Sequence, residues 1–291
     1  MLQGQPSHTA LRVAMRRASH QLLDVPPVFE DPLAIDILGP ERAAALRRDP
    51  RAHEKGPLAS FLRAFLAARS RLAEDTLGEA MVQGVRQYVI LGAGLDTFAY
   101  RPRRDPRPLR VFEVDHPATQ EWKRGMVAAA GIAIPGDLVY VPIDFNRDRL
   151  GPRLEQSGFD RDAGAMFSWL GVTPYLESAA VMATLAEIAT TSRNGGGVVF
   201  DHALPRRTLT LPQKVVFDLM AMRVRASGEP WIGFFEPAAL AADLRALGFA
   251  EVESWDESRI NHRYFTGRTD HLRVGALARL MVARHPALTG S

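Results

Sequence analysis

From Gln87 onward the chain alternates short apolar runs with longer stretches of helical character, and few folds accommodate that alternation. The runs are QYVIL (87–91), RVFEVD (110–115), LVYVPID (138–144), AMFSWL (165–170), GVVFD (197–201), AEVESW (250–255) and ARLMVAR (278–284). Short, β-branched runs separated by helices specify an α/β fold with a largely parallel sheet and helices on both faces. The last two runs lack a clear amphipathic crossover helix between them, so the final strand is expected to run antiparallel. Residues 8–80 carry no strand pattern. They read as helical pieces: HTALRVAMRRASHQLL, then PLAIDILG ending at Gly39-Pro40, then a longer stretch from about Pro57 to Ala80. In that last piece Leu58, Phe61, Leu62, Phe65, Leu66 and Leu72 recur at helical spacing. The expected organisation is an N-terminal helical cap over 1–80 and an α/β domain over 81–291. An insertion at about 205–235 is long enough to roof a pocket.

Composition narrows the function classes. No apolar run approaches the roughly 20 residues of a membrane helix, and the N-terminus lacks the apolar core of a signal peptide, so no membrane association is expected. The 291 residues include no cysteine, which excludes disulfides and thiolate metal sites and fits a cytoplasmic protein; no metal site is expected. Net charge is only +3, and the basic run RPRRDPRPLR (101–110) is broken by prolines and an aspartate without interleaved aromatics. Nucleic acid is therefore not an expected partner. Nothing in the sequence specifies an oligomeric state.

The chemistry gathers at strand ends. LGAG follows the first run, so Gly92 and Gly94 let backbone approach a ligand where a side chain would collide. Glu113 and Asp115 end the second run roughly 20 residues later, where an acid accepts hydrogen bonds from both hydroxyls of a ribose. Asp144 and Phe145 end the third, where an acid meets an exocyclic amine and a ring lies against a base. Each acid has a structural alternative: Asp115 as a cap for the helix at Pro117, Asp144 as a turn residue. A pyrophosphate normally takes G-x-G-x-x-G, but here Asp96 stands where it would approach. That carboxylate suits the α-ammonium of a methionyl group, which favours S-adenosyl-L-methionine over a dinucleotide. None of the three lysines lies four residues after a tyrosine, so the Tyr-x-x-x-Lys dyad of a dehydrogenase is missing too.

At these residues the chain resembles the leucine carboxyl methyltransferase-like family, particularly its bacterial S-adenosyl-L-methionine-dependent branch. The resemblance rests on LGAGLDT, FEVDHPATQEWKR, PIDF and WLGVTPYL, with SHTALRVAMRRA, FEDPLA and AARSRLAED upstream. It implies a class I methyltransferase fold, a Rossmann-like seven-stranded sheet whose last strand is antiparallel, under a helical cap. It also implies that Gly92 lines the cofactor, Asp115 binds the ribose, and Asp144 and Phe145 hold the adenine. Arg69 in AARSR matches the arginine that pairs the methionyl carboxylate, with Arg71 as a competing candidate and a solvated helix arginine as the alternative. Members that methylate a protein C-terminus carry a glutamate after the fourth strand; here that place falls in Ser168-Trp169-Leu170.

The expected activity is O-methyl transfer to a carboxylate or hydroxyl of a small molecule. A carboxylate needs no general base, whereas a hydroxyl does. His202, directly after the fifth run, is the best-placed base, with His20, His116 and His262 as weaker candidates. Tyr175 is placed to orient an acceptor oxygen. Both residues also read as ordinary loop or core side chains. Trp169, Trp231, Phe234 and Phe235 are candidates for an apolar acceptor pocket or for plain core. Arg16 and Arg17 could neutralise an acidic acceptor, although adjacent helix residues cannot both face one site. The alternatives are a methyltransferase of protein C-terminal carboxylates, a non-catalytic S-adenosyl-L-methionine-binding protein and, third, an NAD-dependent oxidoreductase.

Overall fold

The computed structural model describes residues 8–52, 54, 56, 58–103, 105–144, 148–226 and 230–286. All seven apolar runs are strands: β1 (Gln87–Leu91), β2 (Arg110–Asp115), β3 (Leu138–Pro142), β4 (Ala165–Trp169), β5 (Gly196–Asp201), β6 (Glu251–Trp255) and β7 (Leu280–His285). They form one sheet in the order β3-β2-β1-β4-β5-β7-β6, with β7 antiparallel to both neighbours and every other pairing parallel. This is the seven-stranded arrangement, last strand reversed, that the family resemblance implied. The strand order reverses between β1 and β4, and that is where an open α/β sheet leaves a crevice at its carboxyl edge.

Period-two alternation divides the core. Tyr88, Ile90, Val111, Met166 and Val199 face one hydrophobic layer, whereas Val89, Leu91, Phe112, Phe167 and Phe200 face the other. The first layer is covered by α1 (His8–Leu23), α3 (Ala59–Val82), α4 (Pro117–Ala129) and α9 (Glu257–Tyr264), the second by α5 (Leu150–Gln156), α6 (Ser178–Thr191) and α8 (Pro237–Ala246). The N-terminal helices thus share a core with the sheet.

Two expectations change. PLAIDILG forms only a 3-10 turn at Asp36–Leu38, and Gly39-Pro40 begins α2 (Pro40–Arg48) instead of ending a helix. Proline is tolerated in a first helical turn, where its missing N–H would have no intrahelical partner. A helix, α9, does separate β6 from β7, with Ile260 buried, yet β7 still runs antiparallel. The 205–235 insertion contains α7 (Leu211–Ala226), and its Leu209 and Phe217 form a small core with Leu204 just before it, on which Trp231 and Phe234 pack.

Candidate active site

A cavity of about 750 Å³ opens at the carboxyl ends of β1, β2 and β4, walled on the far side by α1 and α3. Gly92 and Gly94 form its floor in left-handed conformations, φ +65° and +47°. A Cβ on Gly92 would lie 2.4 Å from Val172 Cγ2, and one on Gly94 would lie 3.1 Å from Ala10 Cβ. Only glycine fits both backbone and surroundings at the first of these positions.

Asp115 is buried, its Oδ2 accepting from the Gly94 N–H at 2.6 Å and its Oδ1 from the His116 N–H at 2.7 Å. Burial pushes its pKa above the usual carboxylate value, and these two donors oppose the shift. The capping alternative does not hold: the cap of α4 is His116, whose Nδ1 accepts from the Ala118 N–H, because the Asp115 side chain is turned to the glycine loop. Glu113 is absent from the cleft. It is buried beneath it, 2.7 Å from Lys123 Nζ and 3.3 Å from the Tyr100 hydroxyl.

Asp96 lines the cleft and closes a local turn by accepting from the Phe98 N–H at 2.7 Å. Burial opposes its ionisation, but Arg17, Lys123 and Arg101 together hold its pKa below the ordinary value. Arg17 was not singled out for this role. It is buried, donates to the Leu95 carbonyl at 2.5 Å, and lies 2.8 Å from Asp31 Oδ2, which also accepts from the Thr97 hydroxyl. The Asp31 of FEDPLA thereby ties α1 to the glycine loop. Glu74, also unanticipated, lines the cleft beside Arg101; burial raises its carboxyl to about 7 despite that partner.

Arg69 lines the cleft from α3, whereas Arg71 is half exposed and pairs with Asp75 one turn on. Arg69 Nη1 donates to Asp201 Oδ2 at 2.8 Å, and Asp201 Oδ1 accepts from the Gly171 N–H at 2.6 Å. An acid from the end of β5 thus stands by the loop after β4, beside Ser168-Trp169-Leu170. Asp201 was legible by the rule already used for Asp115 and Asp144, since it too ends a strand at this edge. Asp144 lines the cleft, its N–H donating to Asp148 Oδ2 at 3.0 Å. Phe145 lies outside the described residues.

A second cavity, about 600 Å³, adjoins the first and shares Thr9, Val13, Leu66, Arg69, Gly171 and Tyr175 with it. His202 lines this second space; it is 4% exposed, and among the described residues its ring has only a backbone contact with Ala203, too poorly formed for a full hydrogen bond. Burial drives its pKa down to about 4, against the pull of Asp201. Of the other histidines, His20 bonds Asp24 at 2.6 Å, His262 is exposed, and His116 caps α4 while also lining the first cavity. Of the four aromatic candidates, only Trp231 lines this cavity; Trp169 and Phe235 belong to the core under the sheet and Phe234 packs on Phe217. Arg16 and Arg17 do both point inward, one to each cavity, because two cavities flank α1.

Residues 10–189 match the family described as leucine carboxyl methyltransferase. The chain belongs to that family. A Bacillus subtilis (strain 168) member, provisionally named S-adenosyl-L-methionine-dependent methyltransferase YktD, is 31% identical, with 94% of this chain and 95% of that protein aligned. A provisionally so-named methyltransferase of Saccharopolyspora erythraea is 32% identical over 69% of each chain. The fold is shared with a solved structure from Thermobifida fusca YX, provisionally titled a methyltransferase, at a TM-score of 0.56 and 16% identity over 98% and 97% of the two chains. Membership of the leucine carboxyl methyltransferase family makes this a methyltransferase of the class I fold and sets aside the dehydrogenase alternative. Among the described residues no helix is long and apolar enough to cross a membrane.

Proposed function

We propose that the protein transfers a methyl group from S-adenosyl-L-methionine to a carboxylate or hydroxyl oxygen of a small molecule. The observation that carries this reading is the contact of Asp115 with the Gly94 N–H, on the floor of a cleft that Asp96, Asp144 and Arg69 also line. A carboxylate and a bare glycine backbone side by side match a ribose edge, and about 750 Å³ lies within the usual range for small-ligand sites. In this reading Asp115 accepts from the ribose hydroxyls, while Asp144 and Phe145 bind the adenine. Asp96 meets the α-ammonium and Arg69 the α-carboxylate, Asp201 holding the guanidinium in place. The bound cofactor supplies a methyl carbon activated on a sulfonium sulfur; the protein's part is alignment and exclusion of water. The α1 and α3 walls of the cleft fit an N-terminal helical cap, and the 205–235 segment contributes Pro230 and Ile232.

Calorimetric titration with S-adenosyl-L-methionine, S-adenosylhomocysteine and NAD tests the assignment. The first two should bind and NAD should not; binding of NAD alone would return Gly92, Gly94 and Asp115 to a dinucleotide. A peptide ending in leucine tests the protein-terminus alternative, and its methylation in preference to small acids and hydroxyl compounds would favour that substrate class.

A further inference from the structure

We propose that the second cavity is the acceptor pocket, and that it takes a phenol or enol on an apolar, ring-bearing skeleton whose hydroxyl hydrogen-bonds to His202 and gives up its proton there. This rests on the cofactor reading of the adjoining cleft. The two spaces meet at Arg69, Gly171 and Tyr175, so an acceptor lodged in one can present an oxygen to a ligand in the other. The walls supply an apolar enclosure, with Phe61, Phe65, Phe217 and Trp231 prominent among them.

Within that enclosure His202 is buried, and among the described residues its ring has only a backbone contact with Ala203, too poorly formed for a full hydrogen bond, so at least one nitrogen is open to a ligand. A buried polar atom without a full hydrogen bond carries a desolvation cost, and a hydroxyl ligand removes part of it. A neutral imidazole offers one N–H and one lone pair, and a hydroxyl can meet either. A carboxylate fits less well. Asp201, next in the chain, already places a negative charge at this edge, and in the cofactor reading Arg69 is committed to the methionyl carboxylate. Arg12, Arg16 and Arg273 also border the cavity, but from α1 and the segment before β7, not from the sheet edge that carries His202.

The step balances without a further reactant. The acceptor oxygen forms its bond to the methyl carbon as the carbon–sulfur bond breaks, leaving a thioether. The hydroxyl proton passes to the open nitrogen of His202, and the imidazolium discharges to water when the ether leaves. A hydroxyl that is being methylated becomes strongly acidic, so even a weakly basic imidazole can take its proton, provided that it is uncharged at neutral pH. Burial ensures that it is.

The test pairs 1-naphthol with 1-naphthoic acid. Titrated into protein saturated with S-adenosylhomocysteine, 1-naphthol should bind more tightly than the acid, and with S-adenosyl-L-methionine it should be the one methylated. His202→Gln should lower kcat for 1-naphthol by about 100-fold or more, the scale of general-base catalysis, and leave S-adenosylhomocysteine affinity unchanged. Trp231→Ala, which leaves the imidazole in place, should weaken 1-naphthol binding about tenfold with the same unchanged control. Preference for the acid, unaltered turnover in His202→Gln, or no binding of either probe by protein that binds S-adenosylhomocysteine would overturn the proposal. Failure of S-adenosylhomocysteine to bind the unmodified protein would strike the cofactor reading first, and the acceptor assignment would fall with it.

Discussion

The carboxylate of Asp115 is gripped by two backbone N–H groups, which orients it before any ribose arrives. Asp115→Ala should weaken S-adenosylhomocysteine binding by about 1–3 kcal/mol in calorimetry, the scale of lost charge-assisted hydrogen bonds. Unchanged affinity in a folded variant would remove it from the site. Gly92→Ala faces two costs, a left-handed φ and a collision with Val172 Cγ2, and should lower unfolding stability by about 2 kcal/mol or more. Adding Val172→Ala should recover the collision but not the backbone cost of roughly 1 kcal/mol, as read by urea melts. His202 makes a pH prediction. Its imidazole titrates near 6.5 when unfolded and near 4 when folded, burial being the main cause. Between those values the unfolded chain binds more protons, so stability attributable to His202 is complete above pH 6.5. It falls as the pH is lowered towards 4, by about 3 kcal/mol in all. His202→Gln should flatten that limb of the stability–pH curve by a corresponding amount; an identical limb would show that His202 does not titrate this way.

At the scale of elements, α1 is held to the glycine loop by the buried set of Arg17, Asp31, Thr97 and the Leu95 carbonyl. Removing one partner from a buried ion pair leaves the other uncompensated. Arg17→Met should therefore destabilise the fold by about 3–5 kcal/mol in denaturant melts. Arg17→Met combined with Asp31→Asn should be markedly more stable than Arg17→Met alone; if the two losses simply add, the pair is not coupled. The same helix shows why helical periodicity alone misjudged its arginines. It lies between two cavities, so successive residues reach different ligand spaces. The missed α2 and α9 are short helices, nine and eight residues, with few buried positions each, and too little apolar pattern marks them.

For the whole molecule, the sheet edge, α1, α3 and the 205–235 segment enclose two joined cavities. A ligand that binds only this folded assembly stabilises it by mass action. S-adenosylhomocysteine at a hundred times its Kd should add about 2.7 kcal/mol, visible as a rise in Tm, while NAD at the same concentration should add none. A thermal scan with each ligand decides the matter, and equal shifts would argue for non-specific binding.

The sheet was legible from local pattern alone. Strand positions follow from apolar runs and their period, and the carboxyl-edge rule then located Gly92, Gly94, Asp96, Asp115 and Asp144 around one cleft, because these are properties of chain neighbours. Tertiary structure decided what depends on residues distant in the chain. Arg69 and Asp201 pair across 132 positions, Arg17 reaches the Leu95 carbonyl across 78, and His202 is buried by helices distant in the chain. No local pattern encodes those meetings. Burial, ion pairing and the division of the site into two cavities emerge only when the helices close over the sheet edge.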